Sequence, residues 1–211
     1  MTSYRRTTSS MVMFLLMPLI MFGCSNEPQG AEKIAYLSAN DNSSYATTFS
    51  DLHLGNILDY HLKLTKADQS WVTIWVEGYI DGEKAEPFRL TELLYGLNPN
   101  DELVEGSMGF GIIDRFKDVS FFLYSHGVST TSKAIDIILK REGVGISGWD
   151  YAIGKEKVSL ESGETKVLGV YREAKDSMRT YDYQDEEAIH QMIKEDMTVL
   201  LLKIKVEKDH P

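Results

Sequence analysis

The sequence predicts a mainly β protein, an antiparallel β-sandwich of about eight to ten strands with one short helix near residues 185–195. Short runs of β-branched and aromatic residues recur along the chain, with turn signals every 8–12 residues or so. Only one segment repeats apolar residues at helical spacing. Strands do not alternate with helices, which argues against a doubly wound α/β fold.

The elements follow in order. Ile34, Tyr36 and Leu37 suggest one short strand inside an otherwise polar stretch. From Leu58, Tyr60, Leu62 and Leu64 alternate with His61, Lys63 and Thr65, the period of two expected of a half-buried strand. Trp71 to Ile80 is aromatic and β-branched and reads as a strand covered on both faces. Asp81-Gly82 supplies the pair of positive-φ positions that a tight hairpin needs, with a return strand over 86–95. Asn98-Pro99-Asn100-Asp101 is a turn. Further strands are expected at 107–114, 119–125, 134–140, 149–153, 156–161 and 165–174, with Glu161 to Glu164 as a second hairpin turn. Asp185 caps a helix whose Ile189, Met192 and Ile193 share a face, with acids in its first turn and Lys194 near its end. That helix is expected to cross between the sheets. Met197 to Val206 is the final strand.

The N-terminus carries a different signal. Arg5 and Arg6 precede an apolar run at residues 11–22, too short for a transmembrane helix and suited to a signal peptide. Gly23-Cys24 follows, then polar Ser25-Asn26-Glu27. A charged start, a short apolar core and a small residue before Cys resemble the bacterial lipoprotein signal with its lipobox. Met21 and Phe22 depart from the usual pattern, which favours Leu and then a small residue there. The resemblance implies cleavage before Cys24 and acylation of its thiol. Residues 1–23 are then the signal peptide, 24–55 a lipidated tether and 56–211 one sandwich domain. Two acyl chains suffice for stable anchoring, placing the domain on the extracytoplasmic face of the membrane. Cleavage removes two of the 22 basic residues and none of the 32 acidic ones, so the net charge moves from -10 to -12.

That acidity argues against nucleic acid as partner, because binding phosphate needs a basic face. Cys24 is the only cysteine, so no disulfide framework or Cys-rich zinc site is available, and no cofactor is indicated. The five histidines lack metal spacing. His126, beside Gly127 at a strand end, is the best placed of them for a site. Gly145-Ile146-Ser147-Gly148-Trp149 misses the nucleophile-elbow register. Gly106-Ser107-Met108-Gly109-Phe110-Gly111 lacks dinucleotide spacing and reads as a strand with bulges or a close backbone approach. Asp101, Glu102 and Glu105 crowd one loop without completing a calcium motif.

The aromatic pattern points to binding. Trp71, Trp75 and Tyr79 share one strand face at about 13 Å intervals, with Thr73 and Glu77 between them. Exposed, they make a platform for sugar rings; covered, they belong to the packing. Arg172 and the polar aromatic loop from Met178 to Tyr183 either contact a partner or cap the sandwich. The expectation is a non-enzymatic binding module of the cell envelope, with an envelope protein or a glycan as partner. The alternatives are a carbohydrate-binding module using Trp71, Trp75 and Tyr79, and a hydrolytic enzyme using His126 or paired acids.

Overall fold

The computed structural model describes residues 32–208, except 97–98, 116–117, 132, 135–138 and 140–141. Its elements are β1 (Lys33–Ala39), α1 (Ser44–Asp51), β2 (Gly55–Leu64), a 3-10 turn (Ala67–Gln69), β3 (Ser70–Ile80), β4 (Glu83–Gly96), β5 (Val104–Arg115), β6 (Asp118–Ser125), β7 (Val128–Ser129), β8 (Lys133–Ala134), β9 (Ile146–Tyr151), β10 (Val158–Glu161), β11 (Thr165–Ala174), α2 (Glu186–Glu195) and β12 (Thr198–Lys208). The first sheet runs β10-β1-β2-β5-β6-β7, with β8 also paired to β6. The second runs β4-β3-β12-β11-β9. Every pairing is antiparallel, giving the expected sandwich.

The core lies between the sheets. Leu58, Tyr60, Leu62 and Leu64 of β2 are buried against a cluster that includes Ile74 of β3 and Leu202, Ile204 and Val206 of β12. Their spacing of two is the alternation visible in the sequence. Two buried hydrogen bonds stitch the sheets together. Tyr60 donates to the Leu168 carbonyl at 2.6 Å, and Tyr95 and Ser125 share a hydrogen bond of 2.5 Å. Gly169 makes the first of these possible, since a Cβ there would stand 2.4 Å from Leu58 Cδ1 and 2.7 Å from the Tyr60 hydroxyl.

Three expectations are corrected. The tether cannot run to residue 55. β1 is hydrogen-bonded between β2 and β10, with Ile34, Ala35 and Leu37 buried, and α1 follows it. The Glu161–Glu164 turn is no hairpin, because β10 and β11 belong to different sheets. It is a corner, with Gly163 at φ 80° donating to Val206 of β12. Helix α2 does not cross between sheets. It joins β11 to β12, neighbours in one sheet, and lays Met192 and Ile193 on Val170, Val199 and Leu201 of that sheet's outer face. Of the strand expected at 134–140, Ala134 pairs with β6 as part of Lys133–Ala134, and 135–138 and 140 lie outside the described residues. The β3–β4 hairpin is as expected, with Asp81 at φ 50° and Gly82 at φ 86°.

Candidate functional site

The face expected to bind belongs to β3. Val72, Ile74 and Val76 point into the core, so Trp71, Trp75, Glu77 and Tyr79 face outward. The three aromatics do not form an open row. Trp75 is only 4% exposed. Its indole N–H donates to Glu77 Oε1 at 2.8 Å, and the Arg89 guanidinium of β4 sits 4.7 Å above its ring. Tyr79 donates to Glu77 Oε2 at 3.1 Å and packs edge-on against Phe88. Lys203 of β12 completes the cluster, 2.8 Å from the same carboxylate oxygen. Burial opposes the charge on Glu77, but Lys203 and the two aromatic donors outweigh it and hold the carboxyl below its usual range. Only Trp71, at 38% exposure, shows a large surface, and its ring lies against Gly96. With Trp75 covered, these three rings offer no continuous platform to a sugar.

The Tyr-rich loop is likewise engaged. Arg172 Nη1 donates to the Arg179 carbonyl at 2.7 Å, and Tyr181 donates to Glu195 at 2.6 Å. Tyr183 donates to Asp150 at 2.6 Å, and Gln184 reaches the Ala152 and Val167 carbonyls. The loop straps α2 onto the outer face of the second sheet. Two of the three crowded acids are taken up, Glu102 by Lys66 at 3.7 Å and Glu105 by His61 at 2.7 Å. His126 sits in the exposed β6–β7 turn, over Gly106. Cys24 lies outside the described residues.

An open groove of about 350 Å³ lies instead on the outer face of the first sheet. Its floor follows from strand register. Tyr124 of β6 pairs with Gly109 of β5, which pairs with Asp59 of β2. Two pairs further along, on the same face, Phe122 faces Gly111, which faces Ile57. Neither glycine leaves room for a side chain. A Cβ on Gly111 would stand 2.2 Å from Phe122 Cζ, and one on Gly109 would stand 2.6 Å from the Tyr124 hydroxyl. Both rings therefore lie across β5, with centroids 6.0 Å apart and planes at 33°. Helix α1 forms one wall. Tyr45 and Phe49, four residues apart and so on one helical face, meet Tyr124 and Phe122 at centroid distances of 5.5 and 5.9 Å. Gly127, Val128 and Ser129 form the other wall.

A buried carboxylate fixes this arrangement. Asp59, with no exposed surface, accepts from the Tyr124 hydroxyl at 2.6 Å and from Asn40 Nδ2 at 3.0 Å. Ser43 caps α1 by accepting from the Ala46 N–H at 3.1 Å. Burial pushes the Asp59 carboxyl above its ordinary value, and hydrogen bonds from Tyr124, Ser43 and Asn40 pull it only partly back. Burial and then Asp59 itself push Tyr124 far up, so the phenol stays a donor.

The sign of the Asp59 effect is testable. A carboxyl whose folded pKa exceeds its unfolded value binds its proton more tightly when folded. Its contribution therefore improves as pH falls through the folded pKa and is fully favourable below the unfolded value of 3.8. Relative to Asp59→Asn, wild type should gain stability on acidification from neutral pH towards about 4, as read by urea denaturation across pH. A difference between the two proteins that is flat, or that falls on acidification, would contradict the geometry. Glu77 runs the opposite way: its contribution is present above its unfolded pKa and fades as pH falls through the lowered folded value.

The groove has a trace in the sequence. Gly109 and Gly111 alternate, as do Phe122 and Tyr124. The glycine run reads as a close backbone approach, and the structure shows one, with the two rings laid over β5. What the sequence lacks is the register that lays one pair on the other. α1 is hidden because its Ser- and Thr-rich composition resembles a linker. No protein-family model, no curated protein and no solved structure matches this chain.

Proposed function

We propose that the chain is a lipid-anchored, non-enzymatic binding module of the bacterial cell envelope, which takes its ligand in the Phe122/Tyr124 groove. The observation that carries this reading is the groove itself. Four aromatic side chains from two elements converge on one open concavity, backed by glycines that admit nothing larger. Its volume falls at the low end of the range of about 300–1,000 Å³ typical of small-ligand sites. Protein partners commonly bury about 800 Å² on each side, a broad surface rather than a concavity of this size. Titratable clusters elsewhere on the sandwich are engaged with one another, as Glu77 is with Lys203 and Arg172 with Asp196. The anchor rests on the apolar run at 11–22 and on Gly23-Cys24. A domain tethered by acyl chains stays at the envelope and so meets envelope ligands at high local concentration.

The anchor has its own test. Expressed in a bacterial host and fed a labelled fatty acid, the wild-type chain should carry the label, and Cys24→Ser should lose it entirely. Label that persists in Cys24→Ser, or that never attaches to wild type, would refute the anchoring.

A further inference from the structure

We infer that the groove ligand is a neutral pyranose, the terminal or internal sugar of an uncharged glycan, stacked on the Phe122 and Tyr124 rings. The inference rests on the binding-module reading and adds the chemistry of the ligand. Three features of the groove lead to it.

The first is charge. The sequence is strongly acidic, with 32 Asp and Glu against 22 Lys and Arg. Yet the groove has an aromatic floor and helical wall, with Ser125, Val128 and Ser129 opposite, and none of its described lining side chains is ionised at neutral pH. The carboxylate beneath it, Asp59, is fully buried under Tyr124 and occupied by its hydroxyl. A cationic ligand would find no carboxylate in this lining, only the faces of its aromatic rings. An anionic one would meet the protein's own negative field with nothing in the lining to offset it.

The second is shape. The two floor rings are splayed by only 33° and held across β5 by the space over Gly109 and Gly111. Both rings are partly exposed, and Tyr45 and Phe49 of α1 meet them from one side, so the groove presents aromatic surface, electron-rich at the ring centres, to whatever enters it. A pyranose has one face of axial C–H bonds, slightly positive, that lies flat on such a ring. An acyl chain has no flat face, and it needs an enclosed tunnel to leave water. This groove is open to solvent.

The third is the rim. Tyr45, half exposed, and Ser129 put hydroxyl-bearing side chains in the lining beside the aromatic floor. A sugar stacked on the floor presents its equatorial hydroxyls sideways. Apolar floor and polar rim match the two chemistries of one sugar ring.

The test titrates the full lipidated protein, held in detergent, with neutral oligosaccharides of glucose, galactose, mannose and N-acetylglucosamine. A polygalacturonate oligomer serves as the charged comparison. At least one neutral series should bind and the charged oligomer should not. Phe122→Ala should weaken binding at least about tenfold. Phe122→Leu should weaken it similarly, because it keeps apolar area and loses the π-face. Val128→Lys, at an exposed rim position, guards against a folding artefact and should also weaken binding, whereas Trp71→Ala on the other sheet should leave it unchanged. Failure of every neutral series, or undiminished binding by Phe122→Leu, overturns the pyranose assignment. If isolated envelopes are still bound through the groove in that case, the binding-module reading survives. If groove variants bind envelopes as wild type does, both readings fall.

Discussion

Arg172→Met is expected to destabilise the fold by about 3–5 kcal/mol, the usual cost of stranding one partner of a buried ion pair. Arg172 and Asp196 are both buried, and Nε stands 2.5 Å from Oδ2. Asp196 is the residue at which α2 ends, so the pair ties that end of the helix to β11. The same guanidinium holds the strap through the Arg179 carbonyl and lies 4.9 Å from the centre of the Tyr181 ring. Removing it leaves a buried carboxylate with its cation gone and releases the loop that covers the second sheet. The double variant Arg172→Met/Asp196→Leu should recover much of the loss, because it strands no charge. Urea denaturation of the four proteins of that cycle reads the coupling directly. A single-variant cost below about 1 kcal/mol, in the range of exposed ion pairs, would show that the pair is not sequestered as described.

Phe110→Ala should cost a similar amount, about 3–5 kcal/mol, for a different reason. Phe110 is 1% exposed and stands between the sheets. Its ring meets Phe121 of β6 edge-on at 5.3 Å and Trp149 of β9 at 5.7 Å. Trp149 in turn packs on Tyr171 at 4.7 Å. Truncation therefore opens a cavity in a chain of rings that spans both sheets, with little freedom to collapse. Trp149 fluorescence should shift on the same substitution, since the ring beside it is lost. Phe122 follows the fully buried Phe121 along β6 and so points to the outer face, where Phe122→Ala should cost distinctly less. Equal costs for Phe110→Ala and Phe122→Ala in thermal denaturation would contradict the assignment of inner and outer faces.

The contrast between those two phenylalanines shows what the sequence can and cannot convey. Period-two patterning identifies β2, because one-sided burial writes itself into alternation. The Asp81-Gly82 hairpin is legible because positive φ at both positions restricts residue choice. Which sheet a strand joins is not legible. The Glu161–Glu164 corner and the Asp81-Gly82 hairpin use similar turn residues, yet only the second stays within one sheet. Trp71, Trp75 and Tyr79 draw attention because large aromatics on one strand face are conspicuous. Their fate depends on Arg89, Glu77 and Lys203, two of them on other strands. The groove lies in the converse position. Its glycines and rings sit on different strands, and only the pairing of Gly109 with Tyr124 and Gly111 with Phe122 joins them.

On the proposed function, the aromatic groove over β5 is where the protein takes its ligand. The most direct measurement is equilibrium binding of the purified protein to isolated bacterial envelopes, compared among wild type, Tyr45→Ala, Val128→Lys and Trp71→Ala. Saturable binding that Tyr45→Ala and Val128→Lys each weaken several-fold, and Trp71→Ala leaves intact, is the predicted result. Binding that ignores both groove variants, or that depends on Trp71, would contradict it.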